Sequence, residues 1–140
     1  MSIRIFYDEV EYRLKKPRII KNLIIEVIRS ENKIPDDLNF IFTGDKDMME
    51  INKEFLNHDY LTDVITFNYN EKNKIRGEIY MNVDAVRRNS IKYKVNLENE
   101  IIRVMIHGVL HLSGYDDRKG KEKERMRKLE NEWLEKINSQ

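Results

Sequence analysis

Apolar residues change their spacing several times along the chain, and each change marks an element. Ile3, Ile5 and Tyr7 alternate with Arg4 and Phe6, the period of a short strand with at least one buried face. Pro17 suits a first helical turn, and Ile19, Ile20, Leu23, Ile24, Val27 and Ile28 then recur at helical steps, which predicts an amphipathic core helix. Asn32 and Pro35-Asp36-Asp37 break that pattern, and Leu38–Thr43 reads as a second strand. Thr43-Gly44-Asp45 offers a turn and cap for a short helix carrying Met48, Met49, Ile51 and Phe55. After a loop over residues 57–61, Thr62–Phe67 is rich in β-branched residues and predicts a third strand. A polar run over 68–76 leads to a fourth strand, Gly77–Met81, so these two strands form a hairpin across a long polar loop.

The second half of the chain has helical spacing throughout. Asn82 or Asp84 can cap a helix bearing Val83, Val86 and Ile91 that ends near Tyr93. Asn96 caps a helix over Leu97–Leu112 that is apolar on most sides, as a central buried helix must be, with Glu100, Arg103, His107 and His111 in one stripe. Met126, Leu129, Trp133 and Ile137 give one apolar face to a last, mostly charged helix. The order predicts an α+β fold: a single domain spanning 1–140, with a mixed sheet of about four strands, a central His-bearing helix and flanking helices. Whether any strand pair is parallel is not set by the pattern.

Composition narrows the classes. The 140 residues are 40% hydrophobic, enough for one core. No apolar run is long enough to span a membrane, and charge begins at Arg4, so neither a transmembrane helix nor a secretory signal is expected and the protein reads as cytoplasmic. With no cysteine, any metal must be held by histidines and carboxylates. Charged residues are 36% of the chain but nearly cancel to +1, so a nucleic-acid partner would need a local basic patch. Arg118–Lys128, with seven basic and two acidic residues, is one such patch, and Arg87, Arg88, Lys92 and Lys94 are another. Either run can also be a solvated helix face with internal ion pairs.

The candidate chemistry lies in His107-Gly108-Val109-Leu110-His111-Leu112-Ser113-Gly114-Tyr115-Asp116-Asp117. On a helix, His107 and His111 project from one face a turn apart, where both imidazoles reach one ion. Gly114, free to take positive φ, can end the helix and bring Asp116 or Asp117 under the same ion. Two nitrogens and a carboxylate oxygen suit one zinc per chain and leave a position open for water or substrate. Taken alone, His-x-x-x-His is also the pattern of two histidines satisfied within a core. The full spacing H-x-x-x-H-x-x-G-x-x-D matches a zinc-protease frame, with Asp117 as third ligand, but Gly108 stands where those proteases carry a Glu base.

The run HGVLHLSGYDD resembles the H-G-x-L-H-L-x-G-Y-D-H signature of the YbeY-type endoribonucleases. Leu61–Phe67 (LTDVITF) is similar to that family's T-D-V-L-S-F strand, and Gly77–Met81 (GEIYM) to its G-D-I-Y-I strand, in the same order. The resemblance implies a zinc-dependent single-strand endoribonuclease for ribosomal RNA, active in 16S 3′-end maturation and ribosome quality control. Its partners would be ribosomal RNA and ribosomal proteins. It also implies a third His ligand where this chain has Asp117, and an Arg assisting cleavage where Leu56 stands.

Phosphodiester cleavage needs a water or hydroxyl to be deprotonated. The candidate base is an ion-bound hydroxide or Asp116, with His58, a loop histidine, as a further acid or base. Arg103 is a candidate to hold a phosphate or orient a ligand carboxylate, or it pairs only with Glu100. Asp63 is a candidate cap or a partner of a ligating His. Two other classes compete: a metal hydrolase of peptides, and a non-catalytic RNA- or ribosome-binding factor with a structural metal.

Overall fold

The computed structural model describes residues 2–56 and 62–139. Along them run β1 (Ile3–Tyr7), α1 (Pro17–Ser30), β2 (Ile34–Thr43), α2 (Asp45–Leu56), β3 (Val64–Asn68), β4 (Lys74–Asn82), α3 (Val83–Lys92), α4 (Leu97–Leu112) and α5 (Gly120–Asn138). The strands form one sheet in the order β1-β2-β4-β3. β1 and β2 are parallel, as are β2 and β4, and β3 runs antiparallel to β4, so the fold is the expected α+β domain with a mixed four-stranded sheet.

Two strands are longer than the pattern suggests. β2 begins at Ile34 and carries Pro35, which was expected to break the chain, through a register shift between Pro35 and Leu38. A proline is tolerated there because β1 pairs with β2 only from Leu38 onward, leaving that side of Pro35 without a strand neighbour. β4 begins at Lys74 rather than Gly77. Most of the polar run from 68 continues the β3–β4 ribbon: Tyr69 N–H donates to Arg76 O at 2.9 Å, Glu71 and Lys74 exchange hydrogen bonds, and Lys72 takes a left-handed φ of 57° at the tip. The polar residues around this tip leave no apolar alternation to read.

α4 lies at the centre, packed against α1, α3, α5, β3 and β4. Ile101, Met105, Ile106, Val109 and Leu110 are fully buried. Each such side chain contributes about 1.5–3 kcal/mol on leaving water, so packing on several sides fixes the helix's height and rotation. Gly108 allows that close seat: a Cβ there would stand 3.0 Å from Ile79 Cγ2 and 3.2 Å from its Cδ1. Among the described residues no helix is long and apolar enough to cross a membrane.

Candidate metal centre

The centre is built where α4 ends. Asn96 caps the helix start through its side chain, which accepts from Asn99 N–H at 3.1 Å. At the other end Tyr115 N–H donates to Leu110 O and Gly114 N–H to His111 O, the paired bonds of a Schellman stop, with Gly114 at φ 117°. Asn70 Nδ2, from the β3–β4 ribbon, donates to Leu112 O at 2.7 Å and satisfies another terminal carbonyl. The stop reverses the chain and returns Asp117 to the two histidines.

His107 Nε2 and His111 Nε2 stand 3.0 Å apart, and Asp117 Oδ2 is 3.3 Å from each. These ligand atoms all lie within 4.8 Å of one another. The opposite ring nitrogens are already committed. Nδ1–H of His107 donates to Glu130 Oε2 at 2.7 Å, and Nδ1–H of His111 donates to the Tyr115 carbonyl at 3.1 Å. With Nδ1 as donor in both rings, the two Nε2 atoms face each other and a carboxylate oxygen. Two imidazole nitrogens and one carboxylate oxygen converging in this way are the donor chemistry of a divalent transition metal. The residues therefore fit a metal.

Charge in the centre is tuned by burial and by the two carboxylates. Burial of the His107 ring opposes a positive charge, but the hydrogen bond and charge of Glu130, with the charge of Asp117, outweigh it and raise the pKa above its ordinary 6.5. Glu130 is itself buried, 4% exposed, and its other oxygen accepts from Arg103 Nη1 at 3.4 Å. Arg103 Nε also lies 3.3 Å from Glu100 Oε1. Arg103 thus pairs with Glu100 and also steadies a carboxylate, one that holds a candidate ligand without being one.

The centre opens into a cleft of about 230 Å³. α4 supplies its floor through Arg103, Val104 and His107; Asn89 and Tyr93 flank it on the α3 side, and Lys123 and Arg127 on the α5 side. Asp63 also lines it, while its carbonyl accepts from Asn82 N–H at 2.9 Å. Asp116 is turned to Arg118, which donates from its backbone N–H and Nε to Oδ1, both at 3.0 Å, and from Nη2 to Oδ2 at 2.9 Å. Those bonds hold its carboxyl well below the usual carboxylate range. Leu56, the last residue of α2, is 38% exposed. His58 and the loop expected over 57–61 lie outside the described residues.

Glu130 was not among the residues singled out by motif. Of the apolar face read for the last helix, Met126 is buried and Leu129, Trp133 and Ile137 pack partly buried against the core, but the buried positions of α5 also include Glu130 and Leu134. Glu130 sits four residues from each of its buried neighbours, an acid in the middle of an apolar stripe. That position was the available signal, because a carboxylate is rarely buried without a partner.

A family profile described as Endoribonuclease YbeY matches residues 7–138. The chain is 43% identical over 129 residues to a Flavobacterium psychrophilum protein named endoribonuclease YbeY, covering 92% of each. It is also 43% identical over 134 residues to a protein of that name from Amoebophilus asiaticus, covering 95% of this chain and 91% of the relative. Its fold matches the solution structure of TM1509 from Thermotoga maritima with a TM-score of 0.67 and 30% identity, over 97% of this chain and 89% of the other. With the profile and both relatives matched across nearly the whole length, the chain belongs to the YbeY endoribonuclease family.

Proposed function

We propose that this protein is a zinc-dependent endoribonuclease that cuts unpaired ribosomal RNA in the cytoplasm, in 16S 3′-end maturation and ribosome quality control, with ribosomal proteins as further partners. The observation that carries the reading is the convergence of His107, His111 and Asp117, two of which, His107 and Asp117, line an open cleft. These three residues would hold the ion. When bound, a divalent ion there polarises a phosphoryl oxygen and lowers the pKa of a water or hydroxyl. Glu130 and the Tyr115 carbonyl hold the two rings so that Nε2 of each faces the other and Asp117. Lys123 and Arg127, without ion-pair partners among the described residues, supply positive charge toward an arriving phosphodiester. For Asp116 to accept a proton it must first give up Arg118, which engages both of its oxygens.

A peptide hydrolase is disfavoured by the seat of Gly108. The residue after the first ligand faces Ile79 of β4 and not the cleft, so no general base is presented from that position. The ribosomal substrate rests on the sequence resemblance, and RNA cleavage on the relatives' name, endoribonuclease. The deciding experiment is cleavage of a ribosomal RNA fragment containing the 16S 3′ end by metal-analysed protein, beside identically purified His111→Ala and a chelator-treated sample. About one zinc per chain with cleavage lost in both controls is the expected result. Bound zinc with intact RNA would transfer the reading to a binding factor with a structural metal.

A further inference from the structure

Resting on the endoribonuclease reading, we propose that Tyr93 is the stacking platform for an unpaired base beside the phosphate at the metal centre, facing a phosphate-binding wall of Lys123 and Arg127. Tyr93 lines the same cleft as His107 and Asp117, yet it is 63% exposed, a large aromatic left in water. Its backbone is fixed. It closes α3, its N–H donating to Asn89 O at 3.0 Å, and the turn beyond is held by Val95 N–H to Ser90 O at 2.9 Å, with Lys94 at a left-handed φ of 55°. The turn fixes where the ring is rooted, at the mouth of the cleft, and tyrosine has only two side-chain torsions to order when a base stacks on it.

Across the α4 floor, Lys123 and Arg127 stand one helical turn apart on α5, both exposed and neither ion-paired among the described residues. An aromatic on one wall and unpaired cations on the other match a single strand, whose bases and phosphates point to opposite sides. The Lys92 ammonium lies over one face of the Tyr93 ring, 5.4 Å from its centroid, so the base stacks on the opposite face. A duplex offers no free base face, so the arrangement selects unpaired RNA. Stacking tolerates any base, so Tyr93 sets strandedness and leaves sequence open.

The test uses full-length, zinc-loaded protein and a fluorescein-labelled 2′-O-methyl phosphorothioate RNA of about 12 nucleotides, within the usual site sizes of single-strand binders. Anisotropy gives Kd for this strand and for the same sequence as a duplex. Tyr93→Ala is expected to weaken single-strand binding about tenfold and duplex binding less than about twofold, while Tyr93→Phe keeps the wild-type Kd. Lys123→Ala with Arg127→Ala should weaken both and flatten the slope of log affinity against log salt by about 0.7 per lost single-strand phosphate contact. Thermal melts of the Tyr93 variants should match wild type, since the ring is largely in water. Wild-type affinity in Tyr93→Ala, an equal loss on duplex, or a loss in Tyr93→Phe matching that in Tyr93→Ala each overturns the proposal. If the protein cuts RNA under any of those outcomes, the endoribonuclease reading survives; if wild type neither binds nor cuts RNA, both fall.

Discussion

His107 donates from Nδ1 to a carboxylate, Glu130, that lies 23 positions further on and almost out of solvent. The bond decides which nitrogen of the ring is free, and it turns that nitrogen toward His111 and Asp117. α5 thereby serves as a wall of the candidate metal centre as well as a cover for the core.

Glu130→Gln keeps the shape and an oxygen acceptor but removes the charge that strengthens His107 as a ligand. Its zinc dissociation constant, measured by calorimetric titration with a competing chelator, should rise about 10–100-fold with little change in fold. Unchanged affinity would mean that Glu130 only fills the core.

Acidity should pull stability and metal binding in opposite directions. In the metal-free protein, the raised pKa means that the imidazolium paired with Glu130 and Asp117 stabilises the fold fully below the ordinary value of 6.5, a contribution lost as pH rises through the raised one. Zinc needs the same Nε2 unprotonated, so its affinity climbs over that interval by up to about tenfold per pH unit for the one proton displaced. Melting with chelator and zinc titration, both followed upward from about pH 6.5, read the two trends. A metal-free melting curve flat over that range in wild type would contradict the pairing.

Asp117 and its neighbour Asp116 should separate cleanly. Asp117→Ala removes one of three converging donors and should cost more zinc affinity than the roughly 10–100-fold typical of an outer partner. Asp116→Asn, whose effect falls on Arg118, should leave zinc binding within about twofold, since it removes no donor. Asp117→His, which supplies the signature's own third residue, should bind zinc at least as tightly as wild type. The reverse ranking of Asp116 and Asp117 would place the ligand one residue earlier.

The two glycines of the motif should fail for different reasons. Gly108→Ala drives a methyl to 3.0 Å from Ile79, an overpacking cost of about 1–3 kcal/mol set against a helix-propensity gain of about 1 kcal/mol, so the expected net loss is about 0–2 kcal/mol, or up to roughly 8 °C in Tm. Trimming the opposing side chain with Ile79→Val, which removes the Cδ1 contact, should recover part of that loss. Gly114→Ala meets no neighbour within 4 Å, so its cost of about 1–3 kcal/mol is backbone strain at φ 117°. Ile79→Val should do nothing for it.

Local periodicity was enough to place the helices, because burial leaves its mark at three- and four-residue steps wherever a helix has a wet side. The spacing of His107 and His111 carried their convergence for the same reason: it is a property of a single helix, complete before any other element packs. Gly114 and the acid three residues later extend that local geometry by one turn. Partners distant in sequence were legible only where they interrupt a pattern, as Glu130 does inside the stripe of Met126 and Leu134. Strand order, the parallel pairing of β2 with β1 and β4, and Pro35 inside a strand were decided by long-range pairing. So was the meeting of Tyr93, Lys123 and Arg127 around one cleft. A one-dimensional pattern states which face of an element is buried, but the neighbour that buries it is chosen only when the whole chain closes on α4.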